Sequence, residues 1–182
     1  MKSLLTIMIM SASLMLSAQE YVDRKGTVHF LSKATVEDIE ATTHSAGCAF
    51  NTTSKRVVAK IPITSFTFKD KLMQEHFNEN YLESDKYPTA TLNGTIVENI
   101  DFTKDGVYDI TIKGTFDIHN VKVDKEIKGK LTVKNGVPAS GTAAFIVILA
   151  EHKVKIPSLL GSNISESVNV DVAINFEKYE KK

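Results

Sequence analysis

His76 stands between Glu75 and Glu79 in the stretch Lys71-Leu-Met-Gln-Glu-His-Phe-Asn-Glu-Asn-Tyr-Leu82. An imidazole beside carboxylates is how a metal centre or an acid–base pair begins. On a helix His76 and Glu79 would be neighbours, whereas Glu75 would point elsewhere. Zinc needs three or four ligands, and the other histidines, His29, His44, His119 and His152, are scattered singly. No second cysteine accompanies Cys48. That thiol lies in the apolar run Ala46-Gly47-Cys48-Ala49-Phe50 with no base close by in sequence, which suits a buried small hydrophobe better than a nucleophile. No serine sits in a Gly-x-Ser-x-Gly turn, and no glycine-rich loop could cradle a phosphate. Asp101, Asp105 and Asp109 lie in and beside a turn, where aspartate serves the backbone. These residues select no catalytic group, no cofactor and no metal ligand, so the expectation is a protein that is not an enzyme. A metal enzyme built on His76 is the weakest of three readings.

The elements that would position such residues are mostly strands. Lys2 and the apolar run Leu4–Met10, followed by small residues up to Ala18, have the form of a secretory signal removed before Gln19. The run is short for a membrane span. A periplasmic or secreted location is therefore expected. Residues 19–182 make a single domain, large enough to bury roughly 70% of its unfolded surface. With one cysteine it has no internal disulfide, so packing must hold it together. Charge is balanced, with 22 basic and 22 acidic residues. Nothing electrostatic favours nucleic acid as a partner.

Val168, Val170, Val172, Ile174 and Phe176 alternate with polar or small residues, the period-two pattern of a strand with one buried face. Residues 108–118 and 121–133 repeat it, and residues 27–32, 36–45, 56–66, 89–98 and 140–150 are further candidates, about eight strands in all. The turns Lys104-Asp105-Gly106, His119-Asn120 and Lys134-Asn135-Gly136 are hairpin signals. Long strands joined by tight hairpins predict an all-β, eight-stranded antiparallel barrel, since closure leaves no long edge. Met73, Phe77 and Tyr81, four apart, predict one short helix over residues 70–83. It would either cover Thr142–Ala150, which is apolar on both faces, or cap an open end. Gly114 and Gly129 fall on inward rows, where a sheet bends sharply.

A barrel of eight strands is either filled by its own side chains or holds one small ligand. The inward rows mix small residues (Ala59, Ala90, Gly114, Gly129) with large ones (Leu92, Ile96, Phe116, Phe145). Each buried methylene contributes about 0.8 kcal/mol, so two or three isoprene units give roughly 8–12 kcal/mol before ordering costs. Micromolar binding needs about 8 kcal/mol.

The segment Phe66–Leu92, with its strand, short helix and Asp85-Lys-Tyr-Pro88 turn, resembles the most recognisable part of the YceI-like family. Gly114–Val123 resembles that family's next block, and Phe145–Pro157 and Ile164–Val172 resemble its closing strands. The resemblance implies a lipocalin-like barrel exported to the periplasm, with an interior that binds a polyisoprenoid or other long-chain lipid. Asn120 stands where the family has a turn glycine, and Lys125 interrupts an apolar row. That implies either a register shift or a cation near a lipid head group. On this reading Leu92, Ile96, Tyr108, Ile110, Ile112, Phe116 and Phe145 would line the lipid site, with Met73 and Phe77 near one end. Carriage would entail transient membrane contact, and the oligomeric state stays open, a homodimer included. The competing reading is a cavity-free structural or interaction barrel of the cell envelope.

Overall fold

Two hairpin turns set the frame. His119 and Asn120 both have positive φ (55° and 57°), as do Asn135 and Gly136 (55° and 78°). That is the two-residue turn whose twist matches the strands it joins. Asparagine and glycine tolerate this backbone region well, and histidine is among the side chains found there more often than most. These turns connect β6 (Gly106–Ile118), β7 (Val121–Lys134) and β8 (Val137–Ile148) into an antiparallel meander.

The computed structural model describes residues 19–33, 38–155 and 165–180. Before the meander come β1 (Glu20–Ser32), β2 (Ile39–Asn51), β3 (Arg56–Pro62), the short β4 (Thr67–Phe68), the helix α1 (Lys71–His76) and β5 (Thr89–Ile96). After it come β9 (Ser167–Asn175) and the two-residue β10 (Glu177–Lys178). The sheet runs β1-β9-β8-β7-β6-β5-β3-β2, and pairing of β1 with β2 closes it. The fold is therefore a closed, eight-stranded antiparallel barrel, with β4 and β10 as short additions on β2 and β1. The expected signal segment, residues 1–18, lies outside the described residues, as do 36 and 37 of the second expected strand. No helix among the described residues is long and apolar enough to cross a membrane.

Strand limits differ from expectation where the alternation fails. β1 begins at Glu20, not at residue 27, because register shifts between Asp23, Gly26 and Val28 break the two-residue period. β2 runs on through Ala46–Phe50, whose small residues carry no clear period. Cys48 is buried within it, and burial pushes its thiol up to about 12. The third expected strand stops at Pro62 and gives way to a single helical turn, Ile63–Ser65, before β4. The helix leaves the outer face of β8 uncovered: Ile146 is 52% exposed. It caps one end of the barrel instead.

The sheet bends hard where glycines meet. Gly94 on β5 faces Gly114 on β6, and a Cβ at 114 would lie 2.4 Å from both the Asn93 carbonyl oxygen and Gly94 Cα. Neither backbone atom can rotate away. Gly114→Ala is expected to lower stability by about 2 kcal/mol, within the range for overpacking, read from the urea midpoint. Gly47→Ala is the control, because its Cβ would meet nothing closer than 3.7 Å.

The end away from the helix is packed solid. Phe50, Ile96, Leu131 and Val133 are each no more than 2% exposed. The Phe50 ring meets Phe102 and Phe176 at centroid distances of 6.3 and 5.9 Å. The Tyr108 hydroxyl lies 2.9 and 2.8 Å from the Asp101 and Lys104 carbonyls, which pins the loop before β6 over this end.

Candidate functional site

The other end is roofed by the helix. Asp70 caps its first turn, its carboxylate accepting from the Met73 N–H at 2.8 Å. Beyond His76 the helix widens into a π-type turn, Phe77–Tyr81. Phe77 points into an aromatic cluster, stacked on Phe30 at 5.5 Å and meeting Phe66 and Phe68 at 5.8 and 5.0 Å. At its far end Glu83 holds His119 Nε2 at 2.9 Å and also pairs with Lys86. Those two partners, Lys86 first, hold the Glu83 carboxyl below the usual carboxylate range. The lid is thus stapled to the β6–β7 hairpin.

Beneath it lies an apolar cavity of about 120 Å³. Val28 and Phe30 of β1, Ala90 of β5, Phe116 of β6, Val147 of β8 and Val170 of β9 form its walls, with Phe77 and Leu82 of the lid above. A smaller cavity of about 60 Å³ adjoins it under Met73 and Tyr81, and the two share Phe30, Phe77, Leu82 and Leu149. Among the described residues, His152 is the one polar residue lining the larger space. The space is comparable with an apolar cavity of about 150 Å³ known to stay dry and take up benzene or xenon. The barrel is therefore neither cavity-free nor an open tube: one half is plugged and the other is hollow.

The wall beside this cavity is incomplete. β7 and β8 pair from Lys134↔Val137 to Gly129↔Ala143, and their lid-end halves run on without ladder partners to one another. At the point of parting, a Cβ on Gly129 would sit 2.4 Å from the Thr142 carbonyl oxygen. Side chains bridge the seam where backbone bonds do not. Lys125 donates to Glu151 Oε2 at 2.8 Å and reaches the Ile146 carbonyl at 3.5 Å. The Lys125 ammonium in turn holds the Glu151 carboxyl below its ordinary range. His152 Nδ1 meets the Val121 carbonyl at 3.1 Å. Lys125 stays in register opposite Gly114, so the interrupted apolar row reflects a bridging cation and not a slipped strand.

Of the residues expected at a ligand site, Phe77 and Phe116 line the larger cavity and Met73 the smaller. Phe145 stands behind Phe116, edge to face at 5.7 Å. Leu92 and Ile112 are buried in the central core, while Ile96, Ile110 and Tyr108 belong to the core towards the plugged end. His76 has no metal-binding company: among the described residues no three of His, Cys, Asp and Glu gather into a possible ion site. Sequence reasoning placed Ala90 and Val170 on inward rows without assigning either to the ligand site, and passed over Phe30 and Val147, which alternation could have found on such rows; His152 follows the strand and carried no such signal.

No curated protein sequence matches the chain. Among solved structures, a polyisoprenoid-binding domain from Saccharophagus degradans, implicated in plant cell wall breakdown, is similar with a TM-score of 0.72 at 14% identity, covering 89% of this chain and 99% of that one. BcnA of Burkholderia cenocepacia is similar with a TM-score of 0.65 at 17% identity, over 82% and 95% of the two chains. The YceI protein of Campylobacter jejuni gives 0.55 at 18% identity, over 75% and 81%. At these identities the likeness concerns the fold. The family model of the YceI-like domain matches residues 20–176, nearly the whole barrel, and so the chain belongs to the YceI-like family.

Proposed function

We propose that the protein binds a polyisoprenoid or similar long-chain amphiphile without transforming it, and carries it outside the cytoplasm after removal of residues 1–18. The observation that carries this reading is the hollow half of the barrel under the helix, walled among the described residues by apolar side chains and one histidine, with a seam beside it. A structural barrel has no use for such a space, since filling it would add stability. The solved relative described as a polyisoprenoid-binding domain supports the ligand class. Lipid that outgrows the cavity would leave through the seam or under the lid, and delivery would involve brief contact with a membrane.

The test is native mass spectrometry of the full chain expressed with its N-terminal segment and recovered gently from the periplasm. A mature chain starting at Gln19 and carrying a lipid-sized adduct is expected. A chain retained in the cytoplasm would overturn export, and an empty chain that also fails to take up added farnesol would overturn binding.

A further inference from the structure

The wall of the larger cavity skips a strand. Phe116 and Ile118 of β6 and Val147 of β8 line it, yet among the described residues none of β7, the strand between them, does. Leu149 and His152, from the turn after β8, line it instead, with Val154 just beyond. β7 and β8 keep no ladder past Gly129↔Ala143, so the Leu149–His152 turn, and not a strand, closes this side. Side chains fasten the turn to β7. Glu151 accepts from Lys125 at 2.8 Å, and His152 Nδ1 donates to the Val121 carbonyl at 3.1 Å. Its first residue is held by backbone, the Leu149 N–H donating to the Glu166 carbonyl at 2.9 Å, and Lys153 ends it in the left-handed conformation, φ 56°. The lid is fixed differently. Phe77 is set among Phe30, Phe66 and Phe68, so lifting it separates three ring pairs and wets them. Swinging the corner of the turn outward slides His152 off one ring, Phe116, and breaks one hydrogen bond and one ion pair whose ends are 18% and 42% exposed. Water readily replaces such polar links, and the buried imidazole regains its hydration.

We propose that the Leu149–His152 turn is the door through which a hydrocarbon ligand enters and leaves the cavity, swinging away from β7 when the Lys125–Glu151 pair opens. This rests on the lipid reading above and selects the seam over the lid as the route. The opening runs along two parted strands, a slot shaped for a chain, and it leaves the aromatic cluster of the lid intact. Lys125 and Glu151 set the rate of passage and not the affinity. While the open form stays a small fraction of the whole, loosening the latch speeds entry and exit alike.

The probe is retinol, an isoprenoid alcohol that fluoresces when shielded from water, chased from the protein by excess farnesol. Opening is read without any ligand from the acylation of His152 by diethyl pyrocarbonate, mapped by mass spectrometry, because that ring is 0% exposed while the door is shut. Glu151→Lys sets two ammonium groups face to face and should raise both retinol release and His152 acylation about tenfold. The dissociation constant should stay within about twofold of wild type. Lys125→Glu combined with Glu151→Lys restores the pair in reverse and should return both rates to wild-type values. Glu83→Gln, which loosens the staple of the lid, should change neither. Release quickened by Glu83→Gln, or unmoved by Glu151→Lys, would overturn the door, and a charge swap that failed to restore the rates would overturn the latch. If neither retinol nor farnesol binds, the lipid reading falls and acylation alone decides: a tenfold rise in Glu151→Lys upholds the moving turn, and no rise refutes it. Should Glu151→Lys not fold, Glu151→Gln takes its place with an expected rise of about threefold.

Discussion

Phe50→Ala is expected to lower stability by about 4 kcal/mol while leaving the affinity for farnesol unchanged. The ring is 1% exposed and joins Phe102 and Phe176 across the plugged end of the barrel. Truncation removes its transfer free energy and opens a void that rings held by closed strands cannot collapse to fill. In a domain of this size each kcal/mol shifts the melting temperature by roughly 2–4 °C, so a fall of roughly 8–16 °C should follow. The denaturant midpoint should drop with the slope unchanged, the mark of a less stable but equally compact protein. The cavity lies at the other end and shares no lining residue with this cluster. A ligand affinity that fell together with stability would show that the two halves are one mechanical unit.

That division of labour is where sequence reasoning reached its limit. The strands were legible because alternation needs only neighbours in the chain: Tyr108, Ile110 and Ile112 on one side, Asp109, Thr111 and Lys113 on the other. The family resemblance in Phe66–Leu92 located the helix next to the barrel, and Met73 and Phe77 supplied its packing face. What no local pattern contains is the position of an inward residue along the barrel axis. Ile110 and Phe116 share a row, yet Ile110 belongs to the packed half and Phe116 to the cavity, because rings from β2, from the loop after β5 and from beyond β9 converge at only one end. Lys125 was visible as an anomaly on its row, but its meaning needed Glu151, 26 residues later in the chain. His152 read as one more solitary histidine. Its burial depends on the tight turn Leu149–His152, which turns the chain inward as β8 ends.

If the hollow half is where an apolar chain resides, closing it should abolish binding without unfolding the protein. Ala90 is the position to use. It is 6% exposed, projects inward from β5 opposite Ile61, and lines the larger cavity. A phenyl ring added there has about 120 Å³ of empty space to enter, so Ala90→Phe should leave stability within about 1 kcal/mol of wild type, strain from imperfect fit offsetting new contacts. The ligand loses the same space. Denying burial to about four methylenes removes about 3 kcal/mol, which is more than a hundredfold in affinity. The matching control is Ile146→Phe, on the outer face of β8, where a larger ring enlarges an exposed apolar spot without touching the interior. Farnesol binding should survive that change and disappear in Ala90→Phe. The opposite pattern would place the hydrocarbon on the outer surface of β8, and the cavity would then be a packing defect under a lid with nothing to guard.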